Sequence, residues 1–419
     1  MVERSDRIAI MNKQDAAKKV FLRSFGCQMN ARDSEVVKGL VLAEGYGLTD
    51  DPAAADIVLF NTCSVRQHAE DRVWSAIGNI AKMGVKRGTA PKYRGKAAPA
   101  PKKIIGVIGC MAQNYKEGIF KKAPAVDIVC GPSEIDNIAL YLDEVIRSKK
   151  NVLAVSEKKR KEDVYHTGFY EAKDHAYVVI SEGCDNYCTY CVVPYVRGRL
   201  RHRAASEIIK ETEHAVRAGI VNITLLGQNV NAYKCQVSSI KCQVDFQDLL
   251  KKVSQVKGLK SLSFLTSHPK DTTNELFEVM RDTPVIKKCL HMPVQSGSDK
   301  MLKAMNRGYT VKKYHQLVDQ YRGLVYNGQL STDVIVGFPG ETEEDFGATK
   351  KLLKSVCFDS AYIFKYSPRL NTEAALLADD VPKEVKERRH AELLGLQKEI
   401  SRKKVSSCKC QVSGEKDEI

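Results

Sequence analysis

The sequence predicts an α/β protein in two parts, an N-terminal parallel sheet followed by a partial (β/α)6 barrel. Three observations carry this reading. Short apolar runs alternate with helix-length stretches along the chain, which is the pattern of parallel sheets. Six strand candidates follow one another beyond residue 163, and each closes on polar or Gly-rich residues. A Lys-rich stretch from Ser148 to Asp163 separates the two patterns, which sets domains at 18–148 and 164–403 with a tail at 404–419. At 419 residues the chain is too long for one compact core, and 43% apolar with 28% charged residues excludes a disordered or fibrous protein.

In the first part the strand candidates are Lys19 to Cys27, Ala55 to Cys63, Lys103 to Cys110 and Val126 to Gly131. Three of them end in cysteine, within Gly26-Cys27, Thr62-Cys63 and Gly109-Cys110. Strand ends of one polarity share one edge of a parallel sheet, where ligands of open α/β sheets bind, so the three thiols are brought to one place. A metal site is one reading; three separately buried small hydrophobes is the other.

In the second part the candidates are Ala176 to Cys184, Asn222 to Asn229, Ser261 to Ser267, Cys289 to Ser296, Leu330 to Gly337 and Ser360 to Ser367. Helices fit between them, for instance Ser206 to Ala218 with Ser206 as cap, and Thr342 to Val356 with Thr342 capping an acidic first turn. The carboxyl ends of barrel strands build active sites, so the six polar ends describe one mouth.

Net charge is +15, which favours a polyanionic partner such as nucleic acid. Residues 82–103 carry eight basic side chains and no acid, with Pro91, Pro99 and Pro101. Such a segment is an exposed loop, either solvated or in contact with RNA. No run approaches the roughly 18 apolar residues of a membrane span. The first twenty residues mix acids with bases and lack an apolar segment, so the expected location is the cytoplasm. Lys-Cys-Gln-Val occurs at 234–237, 241–244 and 409–412 and reads as inserted low-complexity sequence, with Cys-x6-Cys and Cys-x-Cys poorly spaced for zinc.

Thirteen cysteines in a chain without secretory features point to metal or redox chemistry. The strongest signal is Cys184-Asp185-Asn186-Tyr187-Cys188-Thr189-Tyr190-Cys191, a Cys-x3-Cys-x2-Cys array at the end of the first barrel strand. Structural zinc wants four ligands, and His202, the nearest fourth, lies beyond a run of arginines. A [4Fe-4S] cluster can take three cysteines and leave one iron open. This loop resembles the signature of radical S-adenosylmethionine enzymes. The resemblance spans about residues 18–403 and narrows to the methylthiotransferases, in the branch that makes 2-methylthio-N6-dimethylallyladenosine in tRNA. It is carried by Gly26-Cys27-Gln28-Met29-Asn30, Asn61-Thr62-Cys63-Ser64-Val65-Arg66, Gly109-Cys110-Met111-Ala112-Gln113, Cys191-Val192-Val193-Pro194-Tyr195 and Thr266-Ser267-His268-Pro269-Lys270-Asp271. His291 to Ser298, Met305 to Tyr309 and Gly337 to Thr342 continue it.

The resemblance implies an N-terminal methylthiotransferase domain, a radical S-adenosylmethionine barrel and two [4Fe-4S] clusters. Cys27, Cys63 and Cys110 would hold one, and Cys184, Cys188 and Cys191 the other. The barrel cluster would bind S-adenosylmethionine and yield a 5′-deoxyadenosyl radical that takes the hydrogen from carbon 2 of the adenine of N6-dimethylallyladenosine at position 37. The other cluster would deliver the methylated sulfur. No side chain acts as acid or base in this scheme, and an electron-donor protein is an implied partner. Tyr190, Gln228 and Gln295 are candidates for holding S-adenosylmethionine. Arg197, Arg199, Arg201 and Arg203 suit phosphate contacts, the alternative being an exposed loop or acid-paired strand. Tyr187 and Tyr195 could stack on a base or simply pack.

Cys289 and His291 read as satisfied core residues, Cys130 and Cys357 as buried thiols, and Glu341, Glu343, Glu344 and Asp345 as an acidic helix start. The family usually ends in a small β-barrel RNA-binding domain, TRAM, whereas this sequence stops about 15 residues after its last expected helix. The expectation is weaker tRNA binding by a monomer that touches no membrane. Methylthiolation of a ribosomal protein and a truncated, non-catalytic RNA-binding remnant are the rival readings.

Overall fold

The computed structural model describes residues 17–65, 67–83, 102–236 and 243–413. Most of the basic 82–103 segment, Cys242 and the last six residues therefore lie outside the described residues. The chain divides into two compact units. The first comprises residues up to Gly26, Asp33–Cys63 and His68–Arg160; the second comprises Cys27–Arg32, Ser64–Gln67 and the chain from Lys161 onward.

The first unit is built on six parallel strands: β1 Lys19–Phe25, β2 Gly47–Leu48, β3 Ile57–Thr62, β4 Ile104–Gly109, β5 Ile128–Cys130 and β6 Val152–Ala154, in the order β2-β1-β3-β4-β5-β6. Every residue of β3 is buried, as expected for a central parallel strand covered on both faces. Helix α1 Gln28–Ala43 and α2 Gln67–Met83 follow β1 and β3. The four strand candidates of this half are all present. The two-residue β2 was too short for a periodicity to show, and β6 lies inside the Lys-rich stretch read as a boundary.

The second unit carries six further parallel strands: β7 His175–Val179, β8 Asn222–Leu226, β9 Ser261–Phe264, β10 Cys289–His291, β11 Gln329–Val336 and β12 Ser360–Lys365. They form two three-stranded sheets, β9-β8-β7 and β10-β11-β12. A parallel bridge from Leu262 to Ile286 continues the pairing between the two sheets. This is the open six-stranded barrel that the strand spacing predicts. Burial alternates strictly along β11, the period-2 signature of a strand with two different faces. Its core runs from Ala176 and Val178 through Phe264, Met292 and Val334 to Leu393.

Two capping expectations separate here. Ser206 is not a cap, because helix α3 Ala205–Arg217 begins one residue earlier, at an Ala204 N-cap that makes no side-chain bond. Thr342 does cap α4 Glu343–Val356 and forms a reciprocal capping box with Asp345. Inside α3, Glu211 is fully buried and binds Arg203 at 2.5 Å and Arg32 at 3.0 Å, while Arg203 also reaches Glu162 at 2.8 Å. Two of the Lys-Cys-Gln-Val copies pair with each other in antiparallel fashion, Cys235 opposite Val244 and Gln236 opposite Gln243. The third falls in the last helix, Lys383–Ser413, so the same string is strand or helix according to its neighbours.

Asp345 yields a pH-dependent prediction. Burial alone would raise its pKa, but the Ser298 hydroxyl at 2.6 Å, the Thr342 amide at 3.0 Å and the Lys300 ammonium at 2.9 Å outweigh it and hold the carboxyl at about 2 instead of 3.8. A depressed folded-state pKa stabilises the fold above the unfolded value and ceases to do so as pH falls through the folded one. Asp345→Asn should therefore lower stability at pH 7, and the gap to wild type should close as pH falls from 3.8 to about 2. Urea midpoints across that range measure it; a gap independent of pH would contradict the assignment.

Candidate metal and cofactor site

Between Cys184 and Cys191 there is neither helix nor strand, and a single turn, the Cys191 amide donating to the Cys188 carbonyl at 2.8 Å, cannot by itself hold all three thiols together. Other elements do so. At its entrance Gly183 sits at φ +80°, where a Cβ would collide with the carbonyl oxygens of Gly198 and Arg199. The Gly183 amide donates to Gln228 Oε1 at 2.6 Å, and the Cys184 amide donates to the Gly198 carbonyl at 3.2 Å. At mid-loop Asn306 Nδ2 donates to the carbonyls of Asn186 and Tyr187, at 3.3 and 3.0 Å, and Lys270 Nζ reaches Asn186 Oδ1 at 2.6 Å. At the exit the Thr189 amide donates to the Met305 carbonyl, and the Thr189 carbonyl accepts from the Ala374 amide. Arg307 Nη1 donates to Cys188 Sγ at 3.2 Å.

Burial pushes the Cys191 thiol up to about 12, with the Cys188 sulfur adding to the effect, and raises Cys184 for the same two leading reasons apart from an opposing amide bond from Asn186. Bare, these groups are protonated and poor nucleophiles; a bound cationic centre is what makes such thiols into thiolates. Among the described residues no three or more His, Cys, Asp or Glu side chains are gathered as a ligand set for a single metal ion. A four-iron cube takes one thiolate per iron and does not need the sulfurs to meet at a point.

The N-terminal cysteines follow three adjacent strands. Phe25, Thr62 and Gly109 stand in lateral register across β1, β3 and β4, on strands about 4.8 Å apart. Cys63 and Cys110 come next in the chain and are buried. Cys27 lies two residues beyond Phe25, with its amide and sulfur each 3.4 Å from Asn30 Oδ1. Gly109, at φ +91°, could not be replaced by alanine without contact with Asn61 Oδ1 and the Thr62 carbonyl.

The barrel rim shows what sequence reasoning missed. Ser181 Oγ, Asn229 Oδ1, Ser267 Oγ, His268 Nε2 and Glu341 Oε1 are buried and have no hydrogen-bond partner among the described residues. Each lies just beyond the carboxyl end of a barrel strand. Buried polar atoms are rarely left unsatisfied, and these five along one rim could hydrogen-bond a polar ligand. Backbone strain gathers there too: Thr266 and Gln295 hold φ of +70° and +73°, a conformation costly for a β-branched or long side chain. His268 Nδ1 accepts from the Lys270 amide at 3.1 Å, so the proton sits on Nε2. Burial, then the charges of Arg307 and Lys270, lower its pKa to about 2, which makes it a neutral donor at any working pH.

Other expected site residues fall out unevenly. Tyr190 is packed with Met301, Met305 and Phe338, its hydroxyl 3.4 Å from Arg307. Gln228 has its carbonyl oxygen committed to Gly183, while Gln295 is buried at a bridge to Val334. The four arginines are not equivalent. Arg203 is buried in the Glu162–Glu211 network and Arg197 is buried 3.8 Å from Glu182, so neither can reach an external phosphate and both expectations are corrected. Arg201 is half-buried and bonds the Arg197 carbonyl, whereas Arg199 is exposed and pairs with Asp185. Tyr187 and Tyr195 stand edge to face, 6.3 Å between centroids. Cys130 is buried as expected; Cys289 is exposed and Cys357 half-buried, both against expectation, because Cys289 opens an edge strand and Cys357 ends a helix. His291 is satisfied by Ser331 and Asp333, and Glu341 is no helix-start ornament but a buried partner of Arg389 and the Gly337 amide.

Known proteins can be set against this geometry. Residues 19–131 match the uncharacterized protein family UPF0004, and residues 178–353 match the Radical SAM superfamily. A tRNA-2-methylthio-N(6)-dimethylallyladenosine synthase of Clostridium botulinum (strain Loch Maree / Type A3) is 42% identical over 401 residues, 94% of this chain and 85% of its own length. The synthase of the same name from Protochlamydia amoebophila (strain UWE25) is 42% identical over 91% of this chain and 81% of its own. The chain belongs to this methylthiotransferase family. It is a radical S-adenosylmethionine enzyme, a class whose cofactors are S-adenosylmethionine and [4Fe-4S] clusters. Among solved structures, the radical S-adenosylmethionine methyltransferase TsrM from Kitasatospora setae shares the fold with a TM-score of 0.59 at 12% identity, over 86% of this chain and 74% of that one.

Gly183→Ala should cost at least about 1–3 kcal/mol in backbone strain alone and loosen the loop that carries three thiols. Thermal melts and iron content after anaerobic reconstitution would both fall; unchanged values would show that the entrance geometry does not matter.

Proposed function

We propose that the chain methylthiolates carbon 2 of N6-dimethylallyladenosine at position 37 of tRNA. The observation that carries this reading is a shared synthase name in relatives about 42% identical over 94% of the chain, joined to a rim whose polar atoms await a ligand. In this reading Cys184, Cys188 and Cys191 hold one [4Fe-4S] cluster and Cys27, Cys63 and Cys110 the other. The hydrogen on carbon 2 is too weakly acidic for any side-chain base. Bound S-adenosylmethionine and the two clusters supply the radical that removes it and the sulfur that replaces it.

The protein's own residues do the rest. Ser181, Asn229, Ser267 and His268 offer hydrogen bonds to S-adenosylmethionine, with His268 donating from Nε2; Gln295 presents its strained backbone at the same rim, and Tyr190 backs the cluster loop. Gln228 acts on the loop through Gly183. Arg199 contacts the phosphate backbone, and Tyr187 or Tyr195 stacks on a base splayed from the anticodon loop. In this reading residues 18–148 are the methylthiotransferase part and residues 164–403 the radical barrel. An electron-donor protein completes the system, and the enzyme works in the cytoplasm as a monomer. Among the described residues no helix is long and apolar enough to cross a membrane.

Mass spectrometry of tRNA nucleosides from a host with and without the gene tests the substrate. Loss of 2-methylthio-N6-dimethylallyladenosine with accumulation of its unthiolated precursor is expected; intact tRNA with a mass change in a ribosomal protein would overturn the reading. Anaerobic protein should contain about eight irons per chain, and alanine at any one of the six cysteines should bring this toward about four. Iron counts that ignore the Cys27 set would reject the second cluster.

A further inference from the structure

We infer that Arg307 sets the reduction potential of the cluster held by Cys184, Cys188 and Cys191, an inference that rests on the ligand assignment just proposed. Arg307 is 4% exposed, and three partners fix its fork. Nε donates to the Tyr309 hydroxyl at 3.0 Å, Nη2 to the Pro293 carbonyl at 2.8 Å, and Nη1 to Cys188 Sγ at 3.2 Å. Tyr309 is itself anchored, its hydroxyl donating to the Val294 carbonyl at 2.8 Å. The guanidinium cannot step away from the sulfur without breaking buried bonds.

An arginine stays charged at any working pH. Its N–H on a ligand sulfur draws electron density from that thiolate, and its charge sits where solvent screening is weak. Reduction adds one negative charge to the cluster, so the reduced member of the couple gains more from this neighbour than the oxidised one. Hydrogen bonds to cluster sulfurs are an established lever on such potentials. His268, close enough for its titration to feel Arg307, is held neutral and adds no competing charge. Arg307 is thus a positioning and tuning residue rather than a catalytic one: it makes the barrel cluster easier to reduce.

The test uses the full chain with Cys27, Cys63 and Cys110 changed to alanine, so that one cluster alone is titrated, reconstituted anaerobically and followed by electron paramagnetic resonance against a dithionite or titanium(III) reductant. Arg307→Gln should make reduction about tenfold less favourable, a drop of ~59 mV for one electron. Arg307→Lys, which keeps the charge but not the fork, should fall between, and Tyr309→Phe should give a smaller drop in the same direction. Irons retained with a potential unchanged in all three variants would overturn the role of Arg307 and reduce it to a clamp. Failure of the Arg307-containing background to hold about four irons would instead overturn the ligand assignment, and the inference with it.

Discussion

An eight-residue loop that carries three thiols and no regular structure cannot keep its own shape. The molecule answers with bonds from outside the loop. Asn306, Lys270, Arg307 and the backbones of Met305, Ala374 and Gly198 together hold Cys184–Cys191 at several points. These partners lie in the connections that follow barrel strands, so the position of the thiols is a consequence of how the open barrel curls. Backbone donors and acceptors that would otherwise be lost are satisfied by the same contacts.

The rim pairs order with deliberate incompleteness. Away from it a buried carboxylate can be paired through both oxygens, as Glu211 is with Arg32 and Arg203. At the rim, buried oxygens and the His268 nitrogen lack partners, and Thr266 and Gln295 hold strained backbones. Such costs persist where the surrounding structure over-determines them and a ligand repays them.

Much of the fold was legible because burial on a pleated strand imposes a period that can be read directly. The ten strand candidates of the two halves all exist, and Thr342 caps its helix through a side chain whose chemistry allows little else. The failures have physical causes as well. Ser206 is chemically a good cap, but the strand–helix connection begins α3 one residue earlier. Alternating arginines resemble a phosphate comb in sequence, yet Arg203 and Arg197 turn inward toward the buried Glu211 and Glu182, with the half-buried Glu162 also bonding Arg203. Acid partners 8 and 41 residues away for Arg203 leave no local signature.

The cysteine spacing, the strand-end glycines and the strings around them determined the chemistry by themselves, because a cluster demands particular sulfurs and a left-handed turn demands glycine. Which groups face those sulfurs was decided only in three dimensions. Arg307 stands 119 residues from Cys188 and Asn306 stands 119 from Tyr187; the curl of the open barrel makes them neighbours, and the low dielectric of its interior gives a single guanidinium the leverage that sequence distance conceals.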